Sequence, residues 1–175
     1  MNAEELRALQ APLKDKYKQD ANAAVITLRA KGTLDEASVA CKVDTGRALI
    51  EAGLHPATGG SGLQACSGDM LLEALVACAG VTLRAVATAL GIEVRSGTVS
   101  AEGDLDFRGT LGVSKEAPVG FKNIRLRFDL DTDVDAEKLA TLKKLTERYC
   151  VVYQTLRQPP AFDIRLSTSE ERAPA

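Results

Sequence analysis

The stretch from Cys66 to Leu90 reads CSGDMLLEALVACAGVTLRAVATAL, and our expectation for the rest of the chain is built around it. Ser67 and Asp69 are good helix N-caps, the residues that follow are almost all apolar, and Gly91 is a typical helix stop. This pattern predicts one long helix. Because the helix is apolar on nearly every side, other elements or a second subunit have to enclose it.

Composition, net charge, the N-terminal segment and the length of the uncharged run in this helix exclude several classes of protein. The 175 residues, 45% of them hydrophobic and 26% charged, suffice for one soluble domain with a buried core. A net charge of -2 without a run of Lys and Arg argues against a nucleic-acid partner. Residues 1–20 lack the apolar core of a signal peptide, so we expect a cytoplasmic protein. No membrane span is expected, because the uncharged run between Glu73 and Arg84 is roughly ten residues and a bilayer needs ~20.

Segments on both sides of the central helix alternate apolar and polar residues, which predicts antiparallel strands. A hairpin is expected within 22–44, with a third short strand at 48–50. Strands should follow at 94–106, where glycines predict a bulge, and from Phe121 to Leu130, with a loop from Gly109 to Gly120 between them. Strands interrupted by helices in this order predict an α+β fold with helices packed against antiparallel sheets.

Helical spacing predicts two further helices. Residues 3–19 carry an apolar stripe that Pro12 should kink or break, in an appendage lying on the body or on a partner subunit. A second helix should start at Asp133 or Asp135 and continue past Leu156 to Pro159, followed by a last strand at 162–166. We therefore expect an N-terminal helical extension at 1–20, a domain at 21–167 and a flexible tail at 168–175.

A glycine-rich loop from His55 to Gly62 precedes the central helix. Phosphate-binding loops also precede helices, but this one lacks their Gly-Lys-Ser/Thr ending and follows a hairpin instead of opening a βαβ unit. A connection between two layers of the fold is the favoured interpretation.

Four cysteines stand at 41, 66, 78 and 150, and without an export signal we expect thiols. His55 is the only histidine and there is no CxxC pair, so neither a zinc site nor any other metal or cofactor is expected. Cys78 and Cys150 are expected on inward faces of the two main helices. Packed together, they could form a disulfide after one is oxidised to a sulfenic acid. Taken alone, each is also explained as a small apolar core residue.

Two segments carry a family resemblance. DMLLEALVAC at 69–78 resembles the first cysteine helix of the OsmC/Ohr family, the osmotically inducible and organic hydroperoxide resistance proteins, and ERYCVVYQTL at 147–156 is similar to its second cysteine segment. The resemblance covers about 22–166 and implies an intertwined homodimer, with antiparallel sheets of both subunits packed around two long central helices. It implies a cytoplasmic thiol peroxidase that reduces small organic hydroperoxides, in which Cys78 attacks, Cys150 resolves and a thiol reductant recycles the enzyme.

The chain departs from the hydroperoxide resistance pattern at the residues that activate the thiol. Ala57-Thr58 precede Gly59-Gly60 where that branch has a Glu, and Val151 stands where many members have Pro. Arg47, with Arg29 second, is the nearest candidate for the activating Arg, and Glu51 is a candidate for a displaced carboxylate. Each of these charges is also explained as a solvated surface residue. These departures indicate a divergent subgroup. They leave two alternatives open: a non-catalytic dimer that binds an apolar small molecule or partner at its interface, and a structural domain whose cysteines are only core.

Overall fold

The computed structural model describes residues 3–34, 41–43, 52–164 and 166, and its side chains are described for 8–27, 52–164 and 166. Five helices and four strands follow one another in these ranges: α1 (Ala3–Gln19), β1 (Val25–Leu34), β2 (Cys41–Val43), α2 (Ser67–Ala89), β3 (Ser96–Asp106), α3 (Phe107–Thr110), β4 (Phe121–Asp131), α4 (Ala136–Tyr149) and α5 (Val151–Arg157). The α+β class expected from the pattern is confirmed.

The four strands form one antiparallel sheet in the order β2-β1-β3-β4. In β4, Ile124, Leu126, Phe128 and Leu130 point to the half-buried face, while the residues between them are exposed, as their alternation predicts. The predicted bulge is present: the register between β3 and β4 shifts at Asp104 and Leu105, next to Gly103. The predicted hairpin corresponds to β1 and β2, whereas the strand expected at 48–50 lies outside the described residues.

The helix α2 packs its inner face against the sheet and against α4 and α5. Leu72, Leu75, Val76, Ala79 and Leu83 are almost completely buried there and form the centre of the core. Gly91 ends the helix with a φ of 63°, as expected. The residue that caps its start is Cys66 rather than Ser67 or Asp69, and no side chain supplies the capping hydrogen bond.

By length and composition alone α2 could span a membrane, since an 18-residue window has a mean hydropathy of 1.8. Core helices of soluble proteins meet the same criterion, and 39% of that window is buried inside this fold. The composition of α2 is therefore weak evidence for a membrane span.

The second long helix is broken. The spacing of apolar residues predicts one continuous helix, but α4 ends at Tyr149 and α5 begins at Val151, with Cys150 between them in an extended conformation at φ -72° and ψ 106°. The Cys150 sulfur accepts a hydrogen bond from the Tyr153 N–H at 3.5 Å and so caps α5. Periodicity missed the break because both segments keep apolar residues on the same side.

The last predicted strand does not form in the described residues 159–164 and 166. Phe162, Ile164 and Leu166 do alternate with polar residues, but they are 80%, 85% and 95% exposed. A strand needs a neighbouring strand to satisfy its backbone hydrogen bonds, and no described strand of this chain pairs with the segment. The expectation of a strand within the single chain was therefore wrong.

The N-terminal helix α1 continues through Pro12 as one element and lies on the body of the same chain. Tyr17 is 3% exposed and packs in a small second core with Ala24, Phe107 and Leu111. Its hydroxyl donates a 2.7 Å hydrogen bond to the Ala57 carbonyl, so α1 is attached to the glycine-rich loop. Burial raises the pKa of this tyrosine, which therefore stays neutral at ordinary pH.

The glycine-rich loop is a structural turn. The N–H groups of Thr58 and Gly60 donate to the His55 carbonyl, and that of Gly59 donates to the Pro56 carbonyl. Because these three donors point inward, they are not available to a phosphate, and the interpretation as a connection is favoured. Gly59 has a φ of 93°, and a Cβ on Gly60 would lie 1.6 Å from the Leu54 carbonyl oxygen, so both positions require glycine.

Replacing Gly60 by alanine should destabilise the fold by about 1 to 3 kcal/mol, because the backbone has to move to relieve this overlap. The free energy of unfolding in urea measures the effect. Gly120→Ala is the matched control, since nothing lies within 4 Å of a Cβ there. Equal stability of the two variants would contradict the close approach at Gly60.

Candidate functional site

The side chains of Cys78 and Cys150 are neighbours where α2 passes the break between α4 and α5. Cys78 lies on α2, partly exposed, and Cys150 lies at the break, 1% exposed. Each thiol shifts the pKa of the other, so the two side chains are neighbours, and both are free thiols. The structure thus brings together the two cysteines that the sequence singled out.

The first turn of α5 directs its N–H groups at these sulfurs. The first three N–H groups of a helix have no partner within it. Here that of Tyr153 donates to the Cys150 sulfur at 3.5 Å, and those of Val151 and Val152 lower the pKa of the nearby Cys78 thiol. The first bond within the helix is then made by the Gln154 N–H to the Cys150 carbonyl, at 2.9 Å. Because Cys150 interrupts the helix, these donors are placed beside Cys78.

The pKa of the Cys78 thiol lies below its usual value. Burial raises the pKa, but hydrogen bonds from the Val152 N–H, the Cys150 thiol, the Val151 N–H and the Thr82 hydroxyl together outweigh burial. All four groups stabilise the thiolate. A thiolate is the nucleophilic form of cysteine, so this sulfur is the reactive one.

The Cys150 thiol has the opposite character. Burial, together with the charge and the hydrogen bond of Cys78, raises its pKa to about 11, although the N–H groups of Tyr153 and Val152 oppose the shift. Cys78 therefore loses its proton at lower pH than Cys150. Environments that separate the pKa values of two neighbouring groups are typical of sites with two distinct chemical roles.

The charged residues named from the sequence are not part of this geometry. Arg47 and Glu51 lie outside the described residues, so their roles stay predictions. The backbone of Arg29 lies in β1, opposite Glu102 of β3, and its side chain is not described. At the position before Gly59-Gly60, Thr58 is 4% exposed and its hydroxyl donates to the His55 carbonyl.

Sequence reasoning missed two contributors. Thr82 stands four residues after Cys78, one helical turn away, so its spacing could have indicated a contact with the thiol. The N–H groups of Val151 and Val152 carried no such signal, because they depend on the helix break at Cys150. In the sequence, Val151 is notable only because it stands where many family members have proline. A proline there would have no N–H to donate.

The third described thiol lies elsewhere. Cys66 lines a separate cavity of about 320 Å³ together with His55 and Asp69. The His55 Nδ1 accepts the Ala57 N–H at 3.0 Å, and its ring stacks on Phe107. Within the described ranges, no group of three or more His, Cys, Asp or Glu residues could hold a metal ion.

The outer face of α2 around Cys78 is apolar and uncovered. Leu71 and Val81 are 36% and 39% exposed, and Ala74 and Ala85 are exposed between and beyond them. Spacings of three and four residues place these side chains in one stripe with Cys78. The reactive sulfur therefore lies in the middle of an apolar surface.

Comparison with known proteins identifies the family of the chain. A family model described as OsmC-like protein matches residues 60–165, which include both cysteines. No curated protein matches the chain significantly in sequence.

Among solved structures, the chain is similar to an OsmC-like hydroperoxide resistance protein from Jannaschia sp. CCS1, with 18% identity and a TM-score of 0.61 over 84% of this chain and 96% of that one. It is also similar to an OsmC-like protein from Mycoplasma pneumoniae, with 16% identity and a TM-score of 0.53 over 77% and 86% of the two chains. These two likenesses show the fold, and the family match spans more than half of the chain. The chain belongs to the OsmC-like protein family.

Proposed function

We propose that this protein is a thiol-dependent peroxidase that reduces organic hydroperoxides, with Cys78 as the attacking thiolate and Cys150 as the resolving thiol. The observation that carries the proposal is the position of Cys78 beside Cys150 and the first turn of α5, where the pKa of its thiol is lowered. The Jannaschia protein, which shares the fold, is a hydroperoxide resistance protein by name, and this gives the substrate class that we propose.

The first step oxidises Cys78. Its thiolate attacks the terminal oxygen of the hydroperoxide, a sulfur–oxygen bond forms, and the O–O bond breaks. The sulfur loses two electrons and becomes a sulfenic acid, while the departing alkoxide takes up a proton and leaves as an alcohol. The apolar surface around Cys78 favours alkyl hydroperoxides over hydrogen peroxide, because it can bury their carbon chains.

The second step uses Cys150. Once Cys78 is a neutral sulfenic acid, the negative charge that raised the pKa of Cys150 is gone, so its thiol loses its proton more easily. The Cys150 thiolate attacks the Cys78 sulfur, a disulfide forms, and hydroxide leaves and is protonated to water. A dithiol reductant of the cell then reopens the disulfide by thiol exchange.

This mechanism needs no Glu before Gly59-Gly60, where this chain has Ala57 and Thr58. In the described residues, hydrogen bonds from α5, Cys150 and Thr82 dominate the stabilisation of the thiolate. We propose Arg47 and Glu51 only as additional activating charges.

The same surface supports a homodimer. The apolar stripe of α2 and the exposed side chains of Phe162, Ile164 and Leu166 are more apolar surface than a monomer usually leaves uncovered. We propose that a second copy covers both regions, which would enclose Cys78 at the interface. We also propose that the protein acts in the cytoplasm without a nucleic-acid or membrane partner.

A second candidate function is binding of an apolar small molecule at that interface without chemistry. The exposed apolar stripe of α2 favours it. A Cys78→Ser protein that keeps full protection of cells against hydroperoxides would favour binding over catalysis.

The experiment that tests the peroxidase is a titration of reduced protein with cumene hydroperoxide, in which each hydroperoxide consumed should remove two thiols. Unchanged thiol content would contradict catalysis.

The contribution of the Val151 N–H can be tested by replacing Val151 with proline. Proline is well tolerated at the first position of a helix, and the extended conformation of Cys150 suits a residue before proline. The variant should therefore lose one donor without losing the fold, and the pKa of Cys78 should rise.

Because the thiolate reacts, the rate with hydroperoxide falls as the pH drops through the pKa of Cys78. The Val151→Pro variant should show this fall at higher pH than the parent, in both the rate and the ultraviolet absorbance of the thiolate. Val151→Ala keeps the N–H and should match the parent. Identical profiles for the proline and alanine variants would mean that this N–H does not activate Cys78.

A further inference from the structure

A groove of about 580 Å³ lies between β4 and the helices α4 and α5, on this single chain and apart from the thiol pair. Its volume is in the range of ~300–1,000 Å³ typical of small-molecule sites. Neither cysteine lines it, although Leu75 of α2 and Tyr153 of α5 do.

The floor of the groove is apolar. Ile124, Leu126 and Phe128 of β4 face Leu156 of α5 across it, and all four side chains are half-buried. These residues leave apolar surface accessible to water, which a hydrocarbon chain would cover.

The rim is positively charged. Lys122, Lys143 and Arg157 line it, with Glu147 as the only carboxylate among the lining residues. Glu147 lies 3.7 Å from the Lys143 ammonium, and both are solvent-accessible, so the pair is loose. The excess of positive charge at the rim contrasts with the net charge of -2 of the whole chain.

An apolar floor under a cationic rim is complementary to an amphipathic monoanion. We propose that the groove binds the anion of a medium- or long-chain carboxylic acid, with its alkyl chain between β4 and α5 and its carboxylate at Lys122, Lys143 and Arg157. A neutral lipid would leave the cations unused, and a short polar anion would leave the floor uncovered. The ligand needs no peroxide group, so this site goes beyond the proposed reaction.

Isothermal titration calorimetry with dodecanoate tests the proposal on the full chain. Shortening the ligand to decanoate should weaken binding about fourfold for each methylene removed. Dodecanol, which has the same chain without the charge, should bind at least about tenfold more weakly, and added salt should reduce this difference. Equal binding of the acid and the alcohol would overturn the proposal.

Variants locate the site. The double variant Lys122→Gln Arg157→Gln should weaken the binding of dodecanoate about tenfold and leave the binding of dodecanol unchanged. Lys115 is an exposed lysine outside the groove, so Lys115→Gln should bind both ligands as the parent does. Leu156→Ala should weaken both ligands. If the lysine and arginine changes have no effect, the anion binds elsewhere and the proposal fails.

Two further controls separate the groove from other occupants and from the thiols. The double variant Phe162→Asp Ile164→Asp should leave the binding of dodecanoate unchanged. Much tighter binding would show that the C-terminal segment of one copy normally fills the groove, and this result would overturn the proposal. Cys78→Ser should bind dodecanoate as the parent does. The result of this binding experiment is then independent of whether the protein is a peroxidase.

Discussion

Cys78→Ser should reduce hydroperoxide consumption to the background rate, a loss of about a thousandfold or more. A serine hydroxyl in the same place is almost fully protonated at neutral pH, and oxygen cannot replace sulfur as the atom that accepts oxidation. The measurement is the rate of cumene hydroperoxide loss in the presence of a dithiol reductant. The variant should keep its fold, because Cys78 is partly exposed and serine is close to cysteine in size.

Two other cysteine variants make this result specific. Cys66→Ser is the matched control, since Cys66 lines a different cavity, and it should react at the parent rate. Without reductant, Cys150→Ser should consume one equivalent of hydroperoxide and then stop, with a sulfenic acid on Cys78 that reacts with dimedone. If Cys78→Ser keeps its activity while Cys66→Ser loses it, the attacking thiol has been assigned to the wrong residue.

Leu71→Asp Val81→Asp should convert the proposed dimer to a monomer, with a dissociation constant raised at least about a hundredfold. Both side chains lie in the exposed apolar stripe of α2, and burying two unpaired carboxylates at an interface costs several kcal/mol. Light scattering coupled to size-exclusion chromatography measures the mass across a dilution series. Because neither residue is in the buried core, the helical content should stay the same.

Val119→Asp is the control for this pair of substitutions. It introduces one carboxylate, half the charge of the double variant, at an apolar residue that is 67% exposed, in the loop between α3 and β4. This variant should keep the mass of the parent. A parent protein that is monomeric at micromolar concentration, or a double variant that stays dimeric, would show that the α2 stripe is not the interface.

The sequence predicted the central helix, the clearest strand and the two cysteines because each depends on local pattern. Apolar runs and period-two alternation reflect burial of a single element, and α2 and β4 were found nearly residue by residue. Both cysteines were predicted to lie on inward faces of the two main helices, but Cys78 is partly exposed and Cys150 lies at the break between α4 and α5.

The break at Cys150 could not be predicted in this way. It rests on the extended conformation of one residue and on a sulfur that caps the next helix, and neither changes the periodicity of the apolar residues. The position of the N–H groups beside Cys78 is a consequence of that break. The sequence pattern therefore points to Arg47 and Glu51 for the activation of the thiol. The prediction of the last strand was wrong for a different reason. Its alternation was real, but no described strand of the same chain pairs with it.

The most direct test of this account is to map the disulfide formed when the reduced protein meets one equivalent of cumene hydroperoxide. Peptide mass mapping after alkylation should show one linked pair, Cys78 with Cys150, and an alkylated Cys66. An unreacted Cys78, or a disulfide that joins any other pair, would contradict the account.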